Sequence, residues 1–86
     1  MVGLRRFNVK IINKDLLISI ASEQLKSHRD YIDGMTITDV TQDINGLRFV
    51  GEYFIDKIGL PTEKTEIVFS VFSDISGVLS KVYMIS

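Results

Sequence analysis

The chain has no cysteine, no tryptophan, one proline, one histidine and almost no net charge. Without cysteine there are no disulfides and no thiol chemistry. Small secreted domains usually depend on disulfides, so the expected compartment is the cytoplasm. The single histidine, His28, excludes the common metal sites built from several His and Cys ligands. Ten Lys and Arg stand against eleven Asp and Glu, for a formal net charge of −1. No overall field therefore draws the chain toward nucleic acid or an anionic membrane, and little repulsion opposes self-association. Long apolar runs are missing too. The opening MVGLRRFNVKII is broken by Asn8, Lys10 and Asn13 and lacks a signal-peptide core, and no stretch approaches a membrane span. Gly46, Gly51 and Gly59 are scattered and form no phosphate-binding run between a strand and a helix. No cofactor, metal or membrane partner is expected.

Apolar residues make up 45% of the 86-residue chain and charged residues 24%, the balance of a folded protein. The length suits one small α+β domain over residues 1–86, burying only about 60% of the surface exposed by its unfolded chain. Leu16 to Ile32, LLISIASEQLKSHRDYI, reads as a long helix occupying about residues 15–32. At about 100° per residue, Leu17, Ile18, Ile20, Ala21, Leu25, Tyr31 and Ile32 share one face. Ser19, Ser22, Glu23, Lys26, Arg29 and Asp30 occupy the other, as expected of a helix lying on a sheet. Asn13 or Asp15 can cap it, and Asp33–Gly34 ends it. A competing reading turns at Asn13–Asp15 into a strand LLISI, with a shorter helix starting near Ser22.

Residues 5–12 alternate Phe7, Val9 and Ile11 with Arg6, Asn8 and Lys10, the pattern of a first strand. From Met35 the period is again two. Asn45–Gly46 predicts a hairpin in which Ile44 faces Leu47 and Asp43 faces Arg48. That register also sets Asp39 against Glu52, and Gly51 beside them suggests a bulge that separates the two. Residues 57–65 read as a loop, Glu66 to Ser73 as a strand and Val78 to Ile85 as a last strand. The expected architecture is two-layer α+β, with one long helix on a mainly antiparallel sheet in the order β-α-β-β-β-β.

Catalytic patterns are sparse. His28 lies one turn from Gln24, and imidazole is the usual general base near neutral pH. A histidine part-buried where helix meets sheet explains it without chemistry, since no positioned partner can be identified. Asp39, Glu52 and Asp43 can gather on the hairpin, yet their spacing matches no known cation loop and suits a solvated sheet face. The chain is thus expected to be non-enzymatic.

Two binding surfaces remain. Phe49 and Tyr53 share a hairpin face, and Val78, Ser80, Val82 and Met84 alternate along the expected terminal strand. An exposed sheet face or edge of this kind can take another protein or a second copy of the chain. That makes a protein-binding module, acting as adaptor, inhibitor or regulatory subunit, the leading functional expectation. The alternative is nucleic-acid binding through Arg5, Arg6 and Lys10 beside the sheet aromatics. Leu47–Phe54, LRFVGEYF, resembles the aromatic-rich strand of an RNA-recognition motif, which would imply base stacking on a sheet. Arg48 replaces the glycine of that motif, Glu52 adds charge of the wrong sign, and the strand reading leaves no second helix for its βαββαβ order.

Overall fold

The computed structural model describes residues 9–85. Their element order is β1 (Lys10–Ile12), α1 (Lys14–Ser27), β2 (Ile37–Asp43), β3 (Gly46–Gly51), α2 (Glu63–Leu79) and β4 (Tyr83–Ile85). The α+β class holds, while the element order needs one large correction. Residues 63–79 form a helix where the β-branched and aromatic run Ile67–Phe72 had suggested a strand. Burial decides the matter. Thr65, Val68, Phe72, Ile75 and Leu79 are spaced 3-4-3-4 and are all buried, which is a helical stripe. Local β propensity yields because only the helix sends these five side chains to one side. The terminal strand shrinks accordingly: Val78 is helical, and only Tyr83–Ile85 remain extended.

Helix α1 starts where expected. The Asn13 carboxamide oxygen accepts the Leu16 N–H at 2.8 Å, satisfying one otherwise free donor of the first turn. Leu17, Ala21 and Leu25, four residues apart, form its buried stripe. The helix stops at Ser27 instead of running to Ile32. His28 takes an extended conformation, and its N–H closes the end on the Leu25 carbonyl. Ending there lets Tyr31 and Ile32 fold back against the core from a turn.

The hairpin forms, but with a different register. Asp43 pairs with Gly46, Gln42 with Leu47, Thr41 with Arg48 and Val40 with Phe49, so the two loop residues are Ile44 and Asn45. This register sets buried Val40 opposite buried Phe49, whereas the expected one would have placed Gln42 there. The irregularity next to Gly51 is present, carried by the opposite strand between Ile37 and Asp39. Gly51 is required because a Cβ there would lie 1.7 Å from the Thr36 carbonyl oxygen.

Helix α1 lies on β2 and α2 on β3, and the two helices touch. Between the helices and the hairpin sits one core cluster that includes Leu17, Leu25, Val40, Phe49, Val68 and Val71. The opposite hairpin face carries exposed Thr41 and Arg48, so no broad apolar sheet face is left bare there. β1 and β4 form a separate parallel ribbon, with Lys10 against Tyr83, Ile11 against Met84 and Ile12 against Ile85. The βαββαβ order is therefore present after all. Its strands, however, form two two-stranded ribbons instead of one four-stranded platform.

Candidate functional site

The outer edge of β3 meets the side of α2, and this junction builds an aromatic-lined depression. Leu47 and Phe49 come from the inner face of β3. Phe69, Phe72, Ser73 and Ser76 come from one face of α2, where residues three and four apart are neighbours. Tyr53 lies between the two elements. Its hydroxyl donates to the Phe49 carbonyl at 3.4 Å, and its ring packs on Phe69 at 5.3 Å and edge-on to Phe72 at 5.9 Å between centroids. The open depression has a volume of about 300 Å³, room for one or two side chains.

Polar groups hold this junction together. The Leu47 N–H donates to the Ser80 hydroxyl at 2.9 Å, and the Ser76 hydroxyl donates to the Leu47 carbonyl. Both outward backbone groups of Leu47 on this edge strand are thereby taken up by side chains. On the β4 side, the Ile85 N–H donates to the Gln42 carboxamide oxygen at 2.7 Å.

The wall of the depression is open at Phe69, which is 53% exposed. Arg48 stands at the rim, with its guanidinium 3.7 Å from the Asp43 carboxylate. This geometry selects among ligands. The rings pack directly on one another, leaving no slot in which a flat base could be stacked between them. Arg48 and Asp43 together give this rim no net charge, so the lining favours an apolar guest.

The six surface candidates from the sequence are only partly brought together. Phe49 is 3% exposed and belongs to the core, so it offers no stacking face, while Tyr53 lines the depression. Val78 is exposed on α2, and Ser80 caps that helix while fastening Leu47. Val82 and Met84 are exposed beside the β1–β4 ribbon, where Met84 adjoins Ile11. Of the basic candidates, Lys10 is exposed on β1, and Arg5 and Arg6 lie outside the described residues.

His28 is engaged at both ring nitrogens. Nδ1 accepts the Asp30 N–H at 3.0 Å, which leaves the proton on Nε2, 3.0 Å from an Asp74 carboxylate oxygen on α2. His28 thereby ties the turn after α1 to α2. Asp39 and Glu52 part company: Asp39 binds Lys14 Nζ at 2.9 Å, and Glu52 accepts the Phe54 N–H at 2.8 Å. The Lys14 hydrogen bond first, then the Val40 N–H, hold the Asp39 carboxyl below its usual value. Among the described residues, no group of three or more His, Cys, Asp or Glu is placed to hold a metal ion.

Phe69, Phe72, Ser73 and Ser76 escaped the sequence reading because they sit on α2. The signal was present in the 3-4-3-4 spacing from Thr65 to Leu79 and in the hydroxyl pair Thr62 and Thr65 that caps the helix.

Fold and site together define a small α+β protein with an aromatic-lined depression at a helix–strand junction. The chain belongs to the family described as protein of unknown function DUF2498, which matches residues 8–86. It is similar to Protein YciN of Escherichia coli strain K12, with 39% identity over 72 residues, covering 84% of this chain and 87% of that protein. Protein YciN of Escherichia coli O157:H7 matches with the same identity and coverage. Among the described residues, no helix is long and apolar enough to cross a membrane.

Proposed function

We propose that the protein is a cytoplasmic, non-enzymatic protein-binding module, and that the β3–α2 depression is its binding surface. The observation carrying this reading is Phe69, a large aromatic held half in solvent at the mouth of a preformed depression, with Tyr53 behind it and Arg48 at the rim. Aromatic anchors and arginine are the residue types enriched where binding energy concentrates. In this reading His28 serves as a tie between the turn after α1 and Asp74 of α2. The absence of cysteine supports the cytoplasmic compartment. The partner segment that fits is a short apolar stretch. The nucleic-acid alternative draws little from the geometry, because Phe49 is buried and the rings leave no stacking slot.

A displayed peptide library panned against the full chain tests the reading. Enrichment of peptides that share an apolar residue, with NMR shifts at Tyr53 and Phe69, is the expected result. Loss of binding in Phe69→Asp should follow. Enriched peptides that shift residues elsewhere, or no enrichment at all, would overturn it.

A further inference from the structure

Among the described residues, Phe54 is the only one other than glycine with a positive φ, at +55. A left-handed backbone is unfavourable for a bulky side chain and persists only where the surroundings over-determine it. Here they do. The Phe54 N–H donates to a Glu52 carboxylate oxygen at 2.8 Å, and its carbonyl accepts the hydroxyls of Thr62 at 2.9 Å and Thr65 at 3.2 Å. The ring is held as well. It lies over Gly34, where an added Cβ would come within 3.5 Å of it, and Lys64 Nζ stands 5.4 Å from its centroid.

Tyr53, the residue before this clamp, is held lightly by comparison. Its hydroxyl reaches the Phe49 carbonyl only at 3.4 Å, near the limit of a hydrogen bond, and its ring rests on Phe69, itself half exposed. The core fixes β3 up to Gly51 and α2 from Glu63 onward. A change of φ at Phe54 must therefore be absorbed between these elements, and Tyr53 adjoins the bond that turns. Moving Tyr53 breaks its ring contacts but relieves the strain at Phe54, so the two effects offset each other in part. That balance is what a two-position element needs.

We infer that Phe54 is the latch of the β3–α2 depression. Clamped in the left-handed conformation, it holds Tyr53 as a flap against Phe69 and Phe72, and its relaxation to negative φ swings the flap out and widens the depression. This rests on the proposed reading of the depression as a binding surface and adds the control of its opening. The latch is tested on the free chain, so its failure leaves the peptide experiment to decide that reading separately.

NMR of the free chain provides the test. In wild type, Overhauser contacts from the Tyr53 ring to Phe69 and Phe72 should mark the closed flap, together with the strong amide-to-α-proton contact of a positive φ at Phe54. Glycine carries no penalty at positive φ, so Phe54→Gly should keep the Tyr53 contacts although the whole ring is gone. Phe54→Val stays apolar, but a β-branched residue fits that backbone poorly. It should lose those contacts, shifting Tyr53 from closed to open about ten-fold or more. The double variant Glu52→Ala/Thr62→Val leaves Phe54 in place and removes two of the three bonds of its clamp, so it should also weaken the Tyr53 contacts. It decides the question if Phe54→Val does not fold. Slow amide exchange at Leu47 is the check in every variant that β3 is still fastened to α2. Loss of the Tyr53 contacts in Phe54→Gly would overturn the inference, because ring packing and not the backbone would then hold the flap. Their full retention in a folded Phe54→Val, or in the double variant, would overturn it equally.

Discussion

The backbone N–H of Leu47 donates to the hydroxyl of Ser80 at 2.9 Å, and one helical turn earlier Ser76 donates its hydroxyl to the carbonyl of the same leucine. Two serines at i and i+4 therefore satisfy both backbone groups on the outer side of one β3 residue. They also join α2 to the hairpin with polar contacts at the border of an apolar core. Removing either hydroxyl leaves a half-buried backbone group without its partner, and the penalty is that of desolvation as well as of the lost bond. Ser76→Ala and Ser80→Ala should each destabilise the fold by about 1–2 kcal/mol in urea titration. Amide exchange at Leu47 should rise in Ser80→Ala and change less in Ser76→Ala. Equal stability in all three proteins would remove this contact from the account.

Gly51 and Gly77 should respond in opposite directions to the same substitution. A Cβ on Gly51 would overlap the Thr36 carbonyl oxygen at 1.7 Å, and that oxygen is a backbone atom with little room to move. Gly51→Ala should therefore cost about 2–4 kcal/mol, in the range of severe core strain. Gly77 lies within α2, and a Cβ there would meet nothing within 4 Å. Alanine loses less backbone freedom on folding, so Gly77→Ala should stabilise by about 0.5–1 kcal/mol. Thermal melts of both variants provide the check, and a destabilised Gly77→Ala would contradict the open environment.

Residues with local instructions were legible before the structure, and residues governed by distant contacts were not. Asn13 sits before an amphipathic run and caps it through its own side chain, a contact spanning three residues. The hairpin was similarly readable from Asn45–Gly46 and alternation. Its register was not, because the choice between Gln42 and Val40 opposite Phe49 depends on which face the helices cover. Helix α1 ends at Ser27 because His28 turns away to reach Asp74, 46 residues further on, and no local pattern encodes that. In α2, local propensity and long-range burial disagreed: Ile67–Phe72 favours a strand in isolation, and the five-residue stripe from Thr65 to Leu79 overrides it. The same disagreement hid half of the depression. Tyr53 was visible in the hairpin pattern, while Phe69 and Ser76 could not be placed until their helix was known.

Acid should weaken the fold partly through Asp39. Its carboxylate accepts hydrogen bonds from Lys14 Nζ at 2.9 Å and from the Val40 N–H at 2.8 Å, and its pKa in the folded chain lies below the usual 3.8. A depressed folded pKa means that the ionised group adds stability above its unfolded value. That contribution fades as pH drops through 3.8 and vanishes below the folded value. Asp39→Asn should accordingly be less stable than wild type at neutral pH, and the gap should close on acidification from pH 3.8 downward. Denaturant titrations at stepped pH measure this. A gap that stays constant into strong acid would show that the linkage to Lys14 contributes nothing.

The start of α2 supplies a prediction in which shape and hydrogen bonding separate cleanly. Thr62 and Thr65 cap the helix reciprocally: the Thr62 N–H donates to Thr65 Oγ1 at 2.9 Å, and the Thr65 N–H donates to Thr62 Oγ1 at 3.3 Å. Both hydroxyls also donate to the Phe54 carbonyl, at 2.9 Å from Thr62 and 3.2 Å from Thr65. Phe54 has φ +55, a left-handed conformation costly for an aromatic residue, and these two bonds help to hold it there. Thr65 is 1% exposed, so valine fits the same space while removing the hydroxyl. Thr65→Val should lose about 1–2 kcal/mol, with faster amide exchange through the first turn of α2 and at Thr62. Thr65→Ser keeps the hydroxyl and loses only a methyl group, so it should retain slow exchange at Thr62 despite losing about 0.8 kcal/mol of burial. A serine variant that exchanges as fast as the valine variant would mean that the methyl, and not the capping bond, holds the end of the helix.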